Sequence, residues 1–125
     1  MPRLEHVNIT VSDGQATAAM LETLFGWHIR WQGPAINGGH SLHVGTDDDY
    51  LAIYTPDSQL TPPPNSYNHS GGLNHIGVVV DDLDAMEAKV KALGLTPKSH
   101  ADYEPGRRFY FDDPDGVEFE VISYD

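Results

Sequence analysis

Two histidines occupy matching positions in two segments of this sequence that share one pattern of apolar and polar residues. His6 is the third residue of LEHVNITVSD, which begins at Leu4, and His75 is the third residue of LNHIGVVVDD, which begins at Leu73. Imidazole is the commonest metal ligand among protein side chains. A lone histidine is usually a hydrogen-bonded structural residue, but a histidine repeated in register suggests that both bind one divalent ion.

A carboxylate that could complete such a site lies in the stretch VEFEVIS. Glu120 alternates there with Phe119 and Val121, which is the periodicity of a strand. A buried carboxylate is costly unless it is paired, protonated or bound to a metal. Two histidines and one glutamate leave coordination positions open on a divalent ion, which suits catalysis better than structure. Glu120 could instead pair with Arg107 or Arg108, the nearby cations.

Other side chains are candidates for roles around this triad. Proton transfer or donation to a substrate oxygen requires a histidine or a tyrosine, and a substrate carboxylate is held well by arginine. For each residue the alternative is ordinary packing, an interface or a solvated surface position. The candidates are His43, Tyr54 and Tyr110 for catalysis, and Arg107, Arg108 and Trp31 for substrate binding.

The elements that must position these residues are repeated as well. The two histidine segments alternate like strands, and each is followed by an amphipathic helical pattern that ends at a glycine. Helices are predicted at residues 15–25 and 83–93, and further strands near 27–32, 40–45, 50–55, 97–101, 108–112 and 117–123. The sequence therefore predicts a βαβββ module at 1–55, a Pro-, Asn- and Ser-rich linker at 56–72, and a second module at 73–125, together one α+β domain.

The two halves differ at the position of the carboxylate. A shift of 68 residues carries Gly26 onto Gly94 and carries Ala52 onto Glu120. The first half therefore lacks a matching carboxylate, and the site has three candidate protein ligands, His6, His75 and Glu120, rather than four.

The composition excludes several classes of partner. Lys and Arg total 7 against 19 for Asp and Glu, a formal net charge of -12. Such acidity argues against nucleic acid and against an anionic membrane surface. With no cysteine, thiolate sites and disulfides are excluded. We expect a cytoplasmic protein, because neither a signal peptide nor a membrane-length apolar stretch is evident.

The paired modules, the histidine in the first strand of each and the DPDGxxxE pattern at 113–120 resemble the vicinal oxygen chelate superfamily. That superfamily includes glyoxalase I, bleomycin-resistance proteins and extradiol dioxygenases. The resemblance implies strands that curl into a cupped, barrel-like mixed sheet with the helices outside. Glyoxalase I has a fourth ligand at the position held here by Ala52, whereas extradiol dioxygenases use two His and one Glu matching His6, His75 and Glu120.

The resemblance also implies a function. It favours a metal-dependent enzyme, dioxygenase-like or lyase-like, whose divalent metal chelates adjacent oxygens of a small-molecule substrate. Iron(II) or manganese suits two histidines and a carboxylate, with zinc or nickel as alternatives. A homodimer is expected, and if the site forms across it, His6 would come from one chain and His75 with Glu120 from the other.

A metal-free binding protein remains the alternative. It would resemble the bleomycin-resistance proteins and would bind a drug or another small molecule in an aromatic-lined cavity. Tyr50, Tyr54, Trp27 and Trp31 would then matter more than the histidines. A third interpretation is a superfamily scaffold that has kept no activity. Metal content discriminates among these, because only the enzyme requires a metal.

Overall fold

The computed structural model describes residues 1–124 of the chain. The chain divides into two compact units, one spanning Met1–Thr61 and a second that begins at Pro62. Each unit contains one βαβββ module. Among the described residues, no helix has both the length and the apolar character needed to cross a membrane.

The first unit contains a mixed sheet and one helix. Its elements are β1 (His6–Thr10), α1 (Gly14–Phe25), β2 (His28–Pro34), β3 (His40–Gly45) and β4 (Tyr50–Thr55). The strand order is β1-β4-β3-β2. The strand β1 runs parallel to β4, and β3 runs antiparallel to both of its neighbours. The first strand of the module is thus held by its last.

Helix α1 is positioned by its caps and by its apolar side. The Asp13 carboxylate accepts a hydrogen bond from Ala16 N at 3.1 Å, and Gly26 ends the helix with a φ of 70°. Leu21 and Leu24 are fully buried against the sheet. The helix therefore covers one face of the sheet and leaves the other face open.

Strand alternation decides which residues reach that open face. Val44, Leu51 and Ile53 lie on the helix side and are buried. His6 pairs directly with Tyr50, and both point to the opposite side. The open face of the first unit is consequently the face that carries the candidate residues.

The second unit repeats this arrangement. Its elements are β5 (Ile76–Val79), α2 (Leu83–Ala92), β6 (Lys98–Tyr103), β7 (Gly106–Asp112) and β8 (Glu118–Ser123). The strand order is β5-β8-β7-β6, with β5 parallel to β8. Asp82 caps α2, because its carboxylate accepts a hydrogen bond from Ala85 N at 3.0 Å.

The core of the second unit lies between α2 and one face of its sheet. Phe109, Phe111, Phe119 and Val121 are fully buried there. Phe111 and Phe119 face each other across β7 and β8, with ring centroids 5.2 Å apart. The opposite face carries mostly polar and charged side chains.

The α+β class and the two βαβββ modules are confirmed. Each sheet is an open, four-stranded mixed sheet, so neither module is a barrel by itself. The structure also adds two 3-10 turns that the sequence analysis did not predict, Ile36–Gly38 and Ser66–Asn68. The second turn lies within the predicted linker.

Candidate functional site

A row of aromatic rings crosses the open face of the first unit, one ring from each strand. The centroids of His6 and Tyr50 are 4.9 Å apart, those of Tyr50 and His43 are 4.5 Å apart, and those of His43 and Trp31 are 4.9 Å apart. The register explains the row, because His6 lies opposite Tyr50 and Trp31 lies opposite His43. Three of the predicted site residues, His6, His43 and Trp31, therefore lie in one row.

Charged groups flank the middle of this row. The guanidinium carbon of Arg30 lies 4.5 Å from the centre of the Tyr50 ring. His6 Nδ1 lies 2.9 Å from Glu5 Oε1, and the hydrogen bond from His6 lowers the pKa of Glu5. This contact favours a proton on His6 Nδ1, which leaves Nε2 as the nitrogen available to a metal.

His43 has a lowered pKa. Burial is the main cause, and the charges of His6 and Arg30 contribute. Its neutral ring is thus favoured near neutral pH, as a general base requires. Trp31 is 49% exposed at the end of the row, and its indole lies over Gly33, where an added Cβ would come within 2.7 Å of the ring.

Two other positions of the first unit bear on the sequence analysis. Ala52 is buried and lies opposite His43, so it takes the place in this sheet that Glu120 takes in the other. Tyr54 shares this face, but its hydroxyl donates a hydrogen bond to the Ile36 carbonyl oxygen at 3.0 Å.

The second unit brings His75 and Glu120 together. His75 Nε2 lies 3.6 Å from Glu120 Oε2, and the two side chains are 33% and 12% exposed. Glu120 lies on the central strand β8 and is opposite Gly77 of β5. An added Cβ at Gly77 would come 4.0 Å from Glu120 Oε1, so this glycine leaves space beside the carboxylate.

Glu120 also contacts two residues of β7. The Tyr110 hydroxyl donates a hydrogen bond to Glu120 Oε2 at 2.5 Å, and this bond is the main cause that raises the pKa of Tyr110. Arg108 is buried, and its Nη1 lies 3.6 Å from the same oxygen. Its guanidinium carbon lies 4.7 Å from the centre of the Tyr103 ring. The arginine pairing considered in the sequence analysis therefore exists beside the histidine contact.

Arg107 is on the other side of the sheet. It lies opposite Ser123, whereas Arg108 lies opposite Ile122, so the two arginines face opposite ways. The Arg107 guanidinium lies 2.7 Å from Asp84 on α2. The structure therefore groups Arg108, but not Arg107, with Glu120.

A second carboxylate in the same unit was not assigned a role from the sequence. Glu118 accepts a hydrogen bond from the Tyr67 hydroxyl, lies 3.2 Å from Lys98 Nζ, and has an oxygen 3.9 Å from His75 Nδ1. The signal for Glu118 was present, because it shares the parity of Glu120 in VEFEVIS. Tyr67 lay in the predicted linker and carried no such signal.

The donors of the second unit suit a divalent ion. Two ligands that each lie about 2.1 Å from one ion are separated by roughly 3.0–3.4 Å for angles between 90° and tetrahedral. The 3.6 Å between His75 Nε2 and Glu120 Oε2 is close to that range. Within residues 1–124 no group of three His, Cys, Asp or Glu side chains is arranged to hold a metal. His75 Nε2 and Glu120 Oε2 therefore form a pair of nitrogen and oxygen atoms at close to the separation that a shared ion would require.

The chain matches a known protein family along most of its length. A model of the family described as Glyoxalase/Bleomycin resistance protein/Dioxygenase superfamily matches residues 3–121. Among solved structures, the glyoxylase/bleomycin resistance protein/dioxygenase domain from Frankia sp. EAN1pec is 18% identical, with 98% of each chain covered and a TM-score of 0.83.

Two further structures share the fold and contain or bind small molecules. A mutant of the fosfomycin resistance protein FosX from Listeria monocytogenes was solved with Mn(II) and 1S,2S-dihydroxypropylphosphonic acid. It is 23% identical over 98% of this chain and 92% of that one, with a TM-score of 0.74. TnmS3, an antibiotic binding protein from Streptomyces sp. CB03234, is 20% identical over 98% and 96% of the chains, with a TM-score of 0.72.

Proposed function

Because the chain belongs to the Glyoxalase/Bleomycin resistance protein/Dioxygenase superfamily, we propose that it is a metal-dependent enzyme that acts on a small oxygenated substrate. The observation that carries the proposal is the pair formed by His75 Nε2 and Glu120 Oε2, 3.6 Å apart on the open face of a sheet. A carboxylate beside an imidazole nitrogen supports the proposal, because catalytic divalent ions are bound by such groups together with a third protein ligand.

We propose His6 as the third ligand. His6 lies on β1 opposite Tyr50, and His75 lies at the corresponding point of the second module, directly before β5. The ligand could be supplied by the same chain or by a second copy of it in a homodimer. In either case the ion would keep open positions for a substrate.

The ion would chelate adjacent substrate oxygens and act on them as a Lewis acid, in a dioxygenase-like or lyase-like reaction. Oxygen and nitrogen donors suit iron(II) or manganese, with zinc and nickel as alternatives. The Mn(II) in the FosX structure supports this choice, and the dihydroxy compound bound there has adjacent oxygens.

The remaining residues of the site would orient the ligands and move protons. The Tyr110 hydroxyl holds Glu120 Oε2 by a hydrogen bond. The Arg108 guanidinium would balance the negative charge of Glu120 or of a bound substrate. His43, whose pKa is lowered by burial, would accept a proton from the substrate.

The proposal is tested by the metal content of the purified protein. The chain should be purified without an affinity tag or a chelator and analysed by elemental mass spectrometry, beside Glu120→Ala. Glu104→Ala in the exposed β6–β7 turn is a matched control. Near-stoichiometric metal in the unmodified chain and the control, lost in Glu120→Ala, supports the site. A Glu120→Ala protein that binds the metal equally tightly contradicts it.

A metal-free binding protein is the second candidate function. The aromatic row of the first unit favours it, because Trp31 offers an exposed indole that a planar molecule could stack on. TnmS3, which shares the fold, is an antibiotic binding protein. If no metal binds after reconstitution with iron(II), manganese, zinc or nickel, this function is favoured, and Trp31→Ala should then weaken the binding of aromatic compounds.

A further inference from the structure

A chain of polar contacts on the open face of the second unit leads from Lys98 on β6 to His75. Lys98 Nζ lies 2.9 Å from Asp112 Oδ2 and 3.2 Å from Glu118 Oε2. The other oxygen of Glu118 accepts a hydrogen bond from the Tyr67 hydroxyl, and the Tyr67 oxygen lies 3.5 Å from His75 Nδ1. This series of contacts thus ends at Nδ1, the nitrogen of His75 that faces away from Glu120.

The chemistry of the groups fixes the direction of each hydrogen bond. An ammonium group only donates, and an ionised carboxylate only accepts, so Tyr67 must give its single proton to Glu118. The Tyr67 oxygen then has only lone pairs left for His75. Its contact with Nδ1 is attractive only if that nitrogen carries a hydrogen. Glu118 Oε1, 3.9 Å from Nδ1, favours the same arrangement.

The partners of Glu118 support this direction. Lys98 Nζ and the Tyr67 hydroxyl approach different oxygens of Glu118, and both groups are donors. An ammonium group so close to a carboxylate favours the charged form of the carboxylate. Glu118 is therefore an ionised acceptor.

Glu120 does not require a hydrogen on His75 Nε2, because it has other donors. Glu120 Oε2 already accepts a hydrogen bond from Tyr110 at 2.5 Å and lies 3.6 Å from Arg108 Nη1. The geometry points to Tyr67 and Glu118 as positioning residues that hold neutral His75 as the Nδ1–H tautomer, with the Nε2 lone pair directed toward Glu120. The inference rests on the proposed function in taking Nε2 as the metal-binding nitrogen.

This tautomer is the one that a metal site needs. Histidines that bind metals through one nitrogen usually donate the other N–H to an oxygen, which fixes the ring and raises its basicity. His75 Nε2 and Glu120 Oε2 would then be two acceptors 3.6 Å apart, and a cation between them would satisfy both. The contacts through Tyr67 and Glu118 thus give His75, in the metal-free protein, the tautomer that metal binding through Nε2 requires.

The position of Tyr67 is set by a turn that hydrogen bonds stabilise. It lies in the 3-10 turn Ser66–Asn68, where the Asn65 side chain accepts a hydrogen bond from Tyr67 N at 3.0 Å. Gly72 N donates to the His69 carbonyl oxygen at 2.9 Å, and a Cβ at Gly72 would collide with the Ser66 carbonyl oxygen. The segment predicted as a linker therefore contains a hydrogen-bonded turn that positions Tyr67.

The experiment measures the tautomer of His75 in metal-free protein by long-range ¹H–¹⁵N NMR. Spectra are recorded at about pH 8.5, roughly two units above the ordinary pKa of histidine, so that most rings are neutral. The His75 signals are assigned by their loss in His75→Gln. We expect the Nδ1–H pattern in the unmodified chain, and a shift toward Nε2–H in Tyr67→Phe. Tyr124→Phe, an exposed tyrosine in the same unit, should leave the pattern unchanged.

Two results overturn the inference: His75 protonated on Nε2 in the unmodified chain, or an Nδ1–H pattern that Tyr67→Phe does not alter. If Tyr67→Phe fails to fold, Glu118→Gln serves instead, because its amide can donate to Tyr67 and reverse the chain. Manganese binding is measured in parallel, with an affinity loss of roughly 10- to 100-fold expected in Tyr67→Phe. An Nδ1–H pattern in a protein that binds no metal supports the inference while the proposed function fails.

Discussion

The hydrogen bond between Tyr110 and Glu120 gives a direct measure of how firmly the candidate site is held. The Tyr110 hydroxyl donates to Glu120 Oε2 at 2.5 Å across strands β7 and β8. A hydrogen bond to an ionised group contributes about 1.5–3 kcal/mol to stability, and Tyr110→Phe removes only the hydroxyl. Because Glu120 is 12% exposed and also faces Arg108, we expect a loss in the lower part of that range, roughly 1.5–2 kcal/mol.

The loss is measured by urea unfolding of the metal-free protein. For a chain of this length, 1 kcal/mol corresponds to about 4 °C in Tm, so a drop of roughly 6–8 °C should accompany it. A double-mutant cycle with Glu120→Gln isolates the pair, and we expect a coupling of about 1 kcal/mol or more. Tyr124→Phe, at an exposed position, should change stability by less than about 0.5 kcal/mol.

A coupling close to zero would refute this reasoning. If Tyr110→Phe were as stable as the unmodified chain, or if its effect were the same with and without the Glu120 carboxylate, the hydroxyl would not hold Glu120. The role of Tyr110 in orienting the carboxylate would then have to be abandoned.

Three further predictions concern other parts of the two units. Gly14→Ala should lower the unfolding free energy by about 1–3 kcal/mol in a urea titration, because the new Cβ would come within 2.7 Å of Leu42 Cδ1; an unchanged midpoint would show that the core adapts freely. Burial raises the pKa of Asp113, whose Oδ2 has no hydrogen-bond partner among the described residues. Folding then favours the protonated form of Asp113. The free energy of unfolding that this preference contributes is therefore lost as the pH rises above 3.8, the ordinary pKa, and through the higher pKa of the folded state. Asp113→Asn should therefore gain stability relative to the unmodified chain between about pH 3.5 and pH 7, and a pH-independent difference in thermal unfolding would contradict this. Arg108→Gln should destabilise the protein by about 1–3 kcal/mol and Arg107→Gln by less than about 1 kcal/mol, because only Arg108 is buried; equal losses in chemical denaturation would count against the assigned faces.

The helices, the strands and the repeat of the βαβββ module followed from periodicity, because strand alternation and helical spacing are properties of the local sequence, whereas the mixed sheet was implied by the family resemblance. The repeat placed Ala52 and Glu120 at equivalent positions, and both lie on the strand that pairs in parallel with the first strand of their module. The parity of VEFEVIS also put Glu120 and Glu118 on one face. The alignment of the two halves of the sequence and the alternation within each strand were enough to predict these positions.

The residues that the sequence did not reveal depend on contacts between distant segments. Tyr67 reaches Glu118 from a Pro- and Asn-rich segment that has no periodicity, so nothing local indicated a role. Arg107 and Arg108 are adjacent and chemically alike, and only the pairing of β7 with β8 shows which of them faces Glu120. The aromatic row likewise requires the register of four strands, although Trp31 and Tyr50 were each noted as aromatic candidates.

The parallel pairing of β5 with β8 affects the order in which the second module can be assembled during synthesis. His75 directly precedes the first strand of this module, and Glu120 lies in its last strand, which is the strand that β5 pairs with. A nascent chain that has not yet extended through β8 lacks both the partner of β5 and the carboxylate beside His75. Contacts so distant in sequence form late, because loop closure must precede them. Metal uptake at the proposed site would then be confined to modules whose synthesis and folding are complete.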